Sequence, residues 1–148
     1  MRKLVLIPLL ALSLAAGAED PPAPKDELTE LYTKLEAVSP KVVKAGYTIL
    51  HVEFERLAPG AEYSFKRELS GKFKYKLVAV GAPAISDLRL RLIDVKGKVE
   101  ASDPNSDSVA IVNLVPKNPG VFNVKIGASK VSSEHAYFFC LVASKPAR

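Results

Sequence analysis

Most of the chain beyond residue 58 alternates apolar and polar side chains with the two-residue period of half-buried β-strands. The clearest run is Asp87–Leu92, in which three leucines alternate with charged residues, and similar runs cover Tyr63–Leu69, Phe73–Ala79 and Phe122–Ile126. Residues that favour turns separate these runs at intervals of roughly 8–12 residues. The pattern predicts an all-β fold, an antiparallel β-sandwich of seven to eight strands.

Two further runs, Val109–Val115 and Ala136–Ala143, are apolar on both faces and are predicted to be central strands. Residues 42–57 fit either a helix or a strand on periodicity alone. The β-branched and aromatic residues of Tyr47–Phe54 favour a strand from about 47 to 55.

A short N-terminal helix is predicted over about 26–38, where apolar residues recur at helical spacing. Ser39 and Pro40 are expected to kink or restart it, with a short turn through residues 42–45 that ends at Gly46 as a C-cap. The proline-rich stretch Asp20–Lys25 is expected to be an extended spacer before the helix.

Residues 1–18 have the three parts of a secretory signal peptide. A basic start (Met1–Lys3) precedes an apolar run (Leu4–Ala16) and a small-residue cleavage site ending at Ala18. An uncleaved membrane anchor is the alternative. We therefore expect an exported protein, periplasmic or secreted, with no transmembrane segment in the mature chain. The predicted organisation is a signal peptide (1–18), a proline-rich linker and amphipathic helix (19–46), and a β-sandwich domain (47–148).

Composition narrows the chemistry further. The chain has 148 residues, one Cys and two His, and a formal net charge of +5. An internal disulfide needs two cysteines and a cysteine-rich zinc site needs more, so neither is available. Without Arg2 and Lys3 of the predicted signal peptide the excess positive charge is small, and nucleic-acid binding is not expected.

The order of motifs between residues 57 and 144 resembles a known family. Ser86–Gly97 reads as a strand followed by an Asp-containing turn, Val99–Asp103 as a short strand, and Pro119–Ile126 as a glycine-led strand. Upstream, Leu57–Tyr75 is similar to an opening hairpin. This order resembles the bacterial pre-peptidase C-terminal (PPC) domain. The resemblance implies a jelly-roll-like β-sandwich without catalysis, of a kind usually appended to secreted enzymes.

The chain departs from that family in two respects. No peptidase precedes the sandwich, and Arg89 stands where the family often has a second Asp, which puts a calcium site near that position in doubt. Asp103, Asn105 and Asp107 have the spacing of a calcium loop, but later positions of an EF-hand loop are missing. A turn between strands is the favoured interpretation, so no cofactor is predicted and calcium is the weak alternative.

Catalytic residues are not predicted. His51 and His135 are the available general bases, and no G-x-S-x-G motif accompanies them. Glu53 and Glu55 fit a solvated strand face, and Cys140, within an apolar run, fits a buried and inert thiol. We therefore expect a protein that is not an enzyme; a small hydrolase is the least favoured alternative.

Basic residues on two successive strands are the strongest binding candidates: Lys72, Lys74 and Lys76, and then Arg89 and Arg91. If these sides coincide, they form a basic face that suits an anionic polysaccharide, lipid headgroups or an acidic protein. Two alternatives are that the lysines only maintain solubility, or that the acidic segment 19–40 covers them. The predicted function is a non-catalytic envelope module that binds a protein or an anionic polymer. The alternative is an accessory subunit that docks on a partner through its N-terminal helix.

Overall fold

The computed structural model describes residues 23–104 and 107–148, with side chains from Glu27 onward. The predicted signal peptide lies outside the described residues. The described part forms one helix, α1, and eight strands in two four-stranded antiparallel sheets, which confirms the predicted sandwich. The elements are α1 (Ala23–Lys44), β1 (Thr48–Leu57), β2 (Glu62–Leu69), β3 (Phe73–Gly81), β4 (Ile85–Ile93), β5 (Val99–Ser102), β6 (Val109–Leu114), β7 (Gly120–Val131) and β8 (Ala136–Pro146).

Strand pairing is nested, which defines the topology. β1 pairs with β8, β2 with β7, β3 with β6, and β4 with β5, so the chain forms one antiparallel ribbon closed by the β4–β5 hairpin. The ribbon then rolls up through the β3–β8 and β4–β7 pairs. Sheet 1 has the order β1-β8-β3-β6 and sheet 2 the order β2-β7-β4-β5. This is a jelly-roll arrangement, as the resemblance implied.

The main core lies between the two sheets. Leu88, Leu90 and Leu92 of β4 are fully buried there, opposite inward residues of sheet 1 such as Leu77 and Phe138. Two-residue alternation therefore predicts this part of the strand correctly: the leucines enter the shared apolar layer, and Arg89 and Arg91 point away from it. Burial of each such leucine contributes about 1.5–3 kcal/mol.

The helix is longer than predicted at both ends. It begins at Ala23, inside the expected spacer, because a proline in the first helical turn lacks only an N–H that has no partner there. It continues through Pro40 to Lys44, so the separate turn predicted for residues 42–45 is the last turn of the same helix. The Gly46 C-cap is confirmed. Gly46 has a φ of 97°, its N–H bonds to Val43 O and the Tyr47 N–H bonds to Val42 O, which is a Schellman motif.

A second apolar layer joins α1 to the outer face of sheet 1. Leu31 is fully buried in this layer, where it packs with Phe139 and Leu141 of the central strand β8. Leu28 and Leu35 are half-buried. The side of the helix that carries Leu31 therefore packs on the chain's own sheet. No helix in the described part of the chain is long and apolar enough to span a bilayer.

Two strand assignments are decided by the structure. Residues 48–57 form a strand, so the favoured interpretation of the ambiguous 42–57 segment is right for most of its length. Of the two predicted central strands, β8 is central and buried on both faces, but β6 is an edge strand. Val109 and Ile111 are exposed because α1 packs across β1, β8 and β3 and does not cover the neighbouring β6.

Candidate anion-binding surface

The predicted basic face does not exist as a single surface. Lys74 and Lys76 lie on β3 in sheet 1, and Arg89 and Arg91 lie on β4 in sheet 2. Both pairs point away from the shared core, so they occupy opposite outer faces of the sandwich. The prediction is wrong because the short connection 82–84 carries the chain from one sheet to the other instead of forming a hairpin within one sheet.

The two arginines are paired with carboxylates on the outer face of sheet 2. Arg89 Nη2 lies 3.0 Å from Asp87 Oδ2. Arg91 bonds to Glu62, which also lies 3.9 Å from Lys125 Nζ. Glu62, Arg89 and Arg91 border a shallow hollow of about 520 Å³. Because the positive charges have negative neighbours, this face is polar but has little excess charge.

Positive charge is instead concentrated at one end of the sandwich. Successive connections of an antiparallel sandwich alternate between its two ends. Connections 70–72, 94–98 and 115–119 lie at the end where α1 and β8 finish, and each contains lysine. Connections 58–61, 82–84, 103–108 and 132–135 lie at the other end and contain no Lys or Arg. We call the first the lysine end; its lysines are Lys41, Lys44, Lys72, Lys74, Lys76, Lys96, Lys98, Lys117 and Lys145.

Three of these lysines form a cluster on the outer face of sheet 1. Lys74 and Lys145 are direct cross-strand neighbours. The Nζ atoms of Lys76 and Lys145 lie 5.5 and 4.6 Å from the centre of the buried Tyr47 ring, a cation–π arrangement. Lys145 Nζ also donates a 3.1 Å hydrogen bond to Ala45 O at the end of α1, where the helix dipole favours a cation.

The electrostatics of this cluster show that its charges are not neutralised. Burial, followed by the positive charges of Lys145 and Lys74, holds the pKa of Lys76 below its ordinary value. Within the described residues, none of the three lysines has a carboxylate within 4.0 Å. Asp94, the acid in the three lysine-end connections, is buried, and its Oδ1 accepts hydrogen bonds from the N–H groups of Lys96 (3.0 Å) and Lys98 (2.8 Å).

Sequence reasoning found Lys72, Lys74 and Lys76 but missed the rest of the lysine end, including Lys96, Lys98, Lys117 and Lys145. A signal was available. Charges can be counted over alternate connections of a predicted antiparallel sandwich, and this count separates the two ends without knowledge of strand pairing.

The weak calcium candidates cover the edge of β6. Asp103 Oδ2 accepts a 2.5 Å hydrogen bond from Ile111 N, and Asp107 Oδ1 accepts a 2.9 Å bond from Val109 N. These N–H groups face away from β3, so the carboxylates shield an otherwise open strand edge. Asn105 lies outside the described residues. Within the part that the structure describes, no three His, Cys, Asp or Glu side chains are grouped as metal ligands.

A polar bridge between the sheets involves residues expected to be solvated. Glu53 of β1 faces β2, where its Oε1 accepts a 2.8 Å hydrogen bond from the Tyr63 hydroxyl. Its Oε2 lies 2.6 Å from His51 Nε2. Partial burial favours a higher pKa for Glu53, but the hydrogen bonds from His51 and Tyr63 outweigh it and the pKa is lowered. Burial and the bond to Glu53 raise the pKa of Tyr63 to about 12.

The remaining catalytic candidates are His135, which lies away from this bridge, and Cys140, which is inaccessible to solvent. His135 is exposed in the β7–β8 connection, where its carbonyl accepts a 2.6 Å hydrogen bond from Ser133 Oγ. Cys140 is fully buried opposite Glu53, and burial raises its pKa to about 12. A thiol in this environment is a poor nucleophile.

Comparisons with protein-family models and with curated proteins find no match for this chain. The class that fold and surface define is a jelly-roll β-sandwich with a lysine-rich end.

Proposed function

We propose that the protein is a non-catalytic, exported binding module that holds an anionic polymer or surface of the cell envelope at its lysine end. The supporting observation is the separation of charge between the two ends of the sandwich. The connections at one end carry Lys72, Lys96, Lys98 and Lys117 with one acid, Asp94, and lysines of α1, β3 and β8 lie beside them. The connections at the opposite end carry Asp103, Asp107 and Glu134 and no Lys or Arg.

The physical basis is long-range attraction with little shape specificity. A group of like charges raises the local concentration of a polyanion and increases its association rate. Burial is the main cause of the lowered pKa of Lys76, and the positive charges of Lys145 and Lys74 add to it; a bound anion would relieve this second, repulsive contribution. Lysines spread over α1, three connections, β3 and β8 suit a flexible polymer or an extended surface better than a small molecule.

The experiment compares two double variants that remove the same charge from opposite faces. Dextran sulfate, a soluble polyanion, is immobilised on a sensor, and binding of the mature protein is measured at 0.1 M and 1 M NaCl. Lys74→Gln with Lys76→Gln should weaken binding at 0.1 M roughly thirtyfold, because each lysine near an anionic surface contributes about 1 kcal/mol. Arg89→Gln with Arg91→Gln should change it less than twofold.

Binding should be lost at 1 M salt, where the Debye length falls to about 3 Å. Equal weakening by the two double variants, or binding that does not respond to salt, contradicts the proposal. Circular dichroism of both variants should match that of the natural chain, which checks that they keep the fold.

A further inference from the structure

The lysine end also carries most of the exposed apolar side chains. Ten large hydrophobic residues in the described part of the chain are exposed, and seven of them lie at or next to this end. They come from α1, both sheets and two connections, which shows that the clustering belongs to the end and not to one strand. The seven are Val43, Leu50, Phe73, Val95, Val99, Val115 and Val121.

Val95 is the most prominent of them. It is 81% exposed at the tip of the β4–β5 hairpin. The turn itself is formed by Asp94, whose carboxylate accepts two backbone N–H groups, and by Gly97, which has a φ of 89°. Local geometry therefore does not require an apolar side chain at 95. Val95 and Val121 border a shallow hollow of about 400 Å³ with Lys66, Asp94 and Asn123, so a basic side chain lies next to apolar ones there.

This combination discriminates between anionic partners. A soluble polyanion engages lysines and gains little from valine or phenylalanine at connection tips. A bilayer surface uses both, because lysines bind anionic headgroups and short apolar side chains enter the boundary between headgroups and acyl chains. We propose that the lysine end docks end-on onto anionic phospholipid bilayers, with Val95 and its apolar neighbours inserted at the interface. This inference rests on the proposed function and names its partner.

Insertion can be observed directly because the chain contains no Trp. Val95→Trp places a single fluorophore at the hairpin tip, and Ile111→Trp places one at an exposed apolar position on β6, away from the lysine end. Each variant is mixed with phosphatidylcholine vesicles, or with vesicles of three parts phosphatidylcholine to one part phosphatidylglycerol. Binding is measured by co-sedimentation, and insertion by the emission maximum and by quenching with brominated lipid.

We expect binding only to the vesicles that contain phosphatidylglycerol and none to pure phosphatidylcholine vesicles. The Trp at 95 should show a blue shift and quenching, and the Trp at 111 should show neither. In the otherwise natural chain, Val95→Ser should weaken binding to these vesicles at least threefold and leave dextran sulfate binding unchanged. Binding to dextran sulfate without binding to vesicles overturns this inference and leaves the proposed function standing. Vesicle binding without a blue shift at 95 also overturns it, and failure to bind either probe rejects both.

Discussion

Replacing Tyr63 with phenylalanine removes a single hydroxyl group that joins the two sheets. In the structure this hydroxyl donates a 2.8 Å hydrogen bond to Glu53 Oε1, from β2 of sheet 2 to β1 of sheet 1. The ring of Tyr63 packs against Phe138 and Phe65, and phenylalanine can keep these contacts. The substitution therefore tests the hydrogen bond with little change in apolar packing.

The expected loss follows from the character of this bond. A hydrogen bond to a charged group contributes about 1.5–3 kcal/mol, and Glu53 is partly exposed, so we expect Tyr63→Phe to lower the free energy of unfolding by about 1–2 kcal/mol. Glu53→Ala, which removes the acceptor, and the double variant complete a double-mutant cycle. Unfolding in urea, followed by circular dichroism at pH 7, gives the coupling free energy, which should be about 1 kcal/mol or more.

The coupling should depend on pH in one direction. The pKa of Glu53 is lowered in the folded protein, so the folded state binds this proton less readily than the unfolded chain does. The stabilisation is then complete above the ordinary value of 4.5 and is lost as pH falls through the lowered folded-state pKa. The coupling free energy should decrease as the pH is lowered from 4.5 through the folded-state pKa of Glu53.

Tyr32→Phe is the matched control, because it makes the same chemical change on an exposed tyrosine of α1. It should change the free energy of unfolding by less than about 0.5 kcal/mol. A coupling free energy near zero at pH 7, or one that increases at pH 3, would refute the reasoning about this bridge.

Two further outcomes are expected. Gly46→Ala should lower the free energy of unfolding by about 1–2 kcal/mol, because an L-residue is strained at the φ of 97° that closes α1; an unchanged thermal midpoint would contradict this. Cys140 should not react with Ellman's reagent at pH 8 in the native protein and should react fully in urea, since it is buried with a pKa of about 12; rapid labelling of the native protein would show that its environment is open.

The sheet content of this fold could be predicted because the signal is local. The alternation in Asp87–Leu92 depends on the neighbours of each residue, and its leucines are buried as expected. The helix could be predicted for the same reason, but its start could not. Prolines near residue 23 suggested an extended spacer, although Pro24 is compatible with a first helical turn.

Partnerships between strands could not be predicted, because they depend on where each connection leads. A connection of three residues suits a hairpin, yet 82–84 crosses between the sheets and separates Lys76 from Arg89. The bridge from Tyr63 to Glu53 was missed for a related reason. Alternation shows that Tyr63 points inward, but its partner is set by which edge strands of the two sheets face each other.

The nested strand pairing has a consequence for how the chain acquires its structure. Thr48 pairs with Ser144, and β8 is also the main surface on which α1 packs. Sheet 1 cannot be completed, and α1 cannot pack fully, before β8 (Ala136–Pro146), the last of the described strands, is in place. Folding dominated by such distant contacts is slow. A nascent or truncated chain without β8 would lack the central strand of sheet 1 and would leave apolar side chains of both layers exposed to solvent.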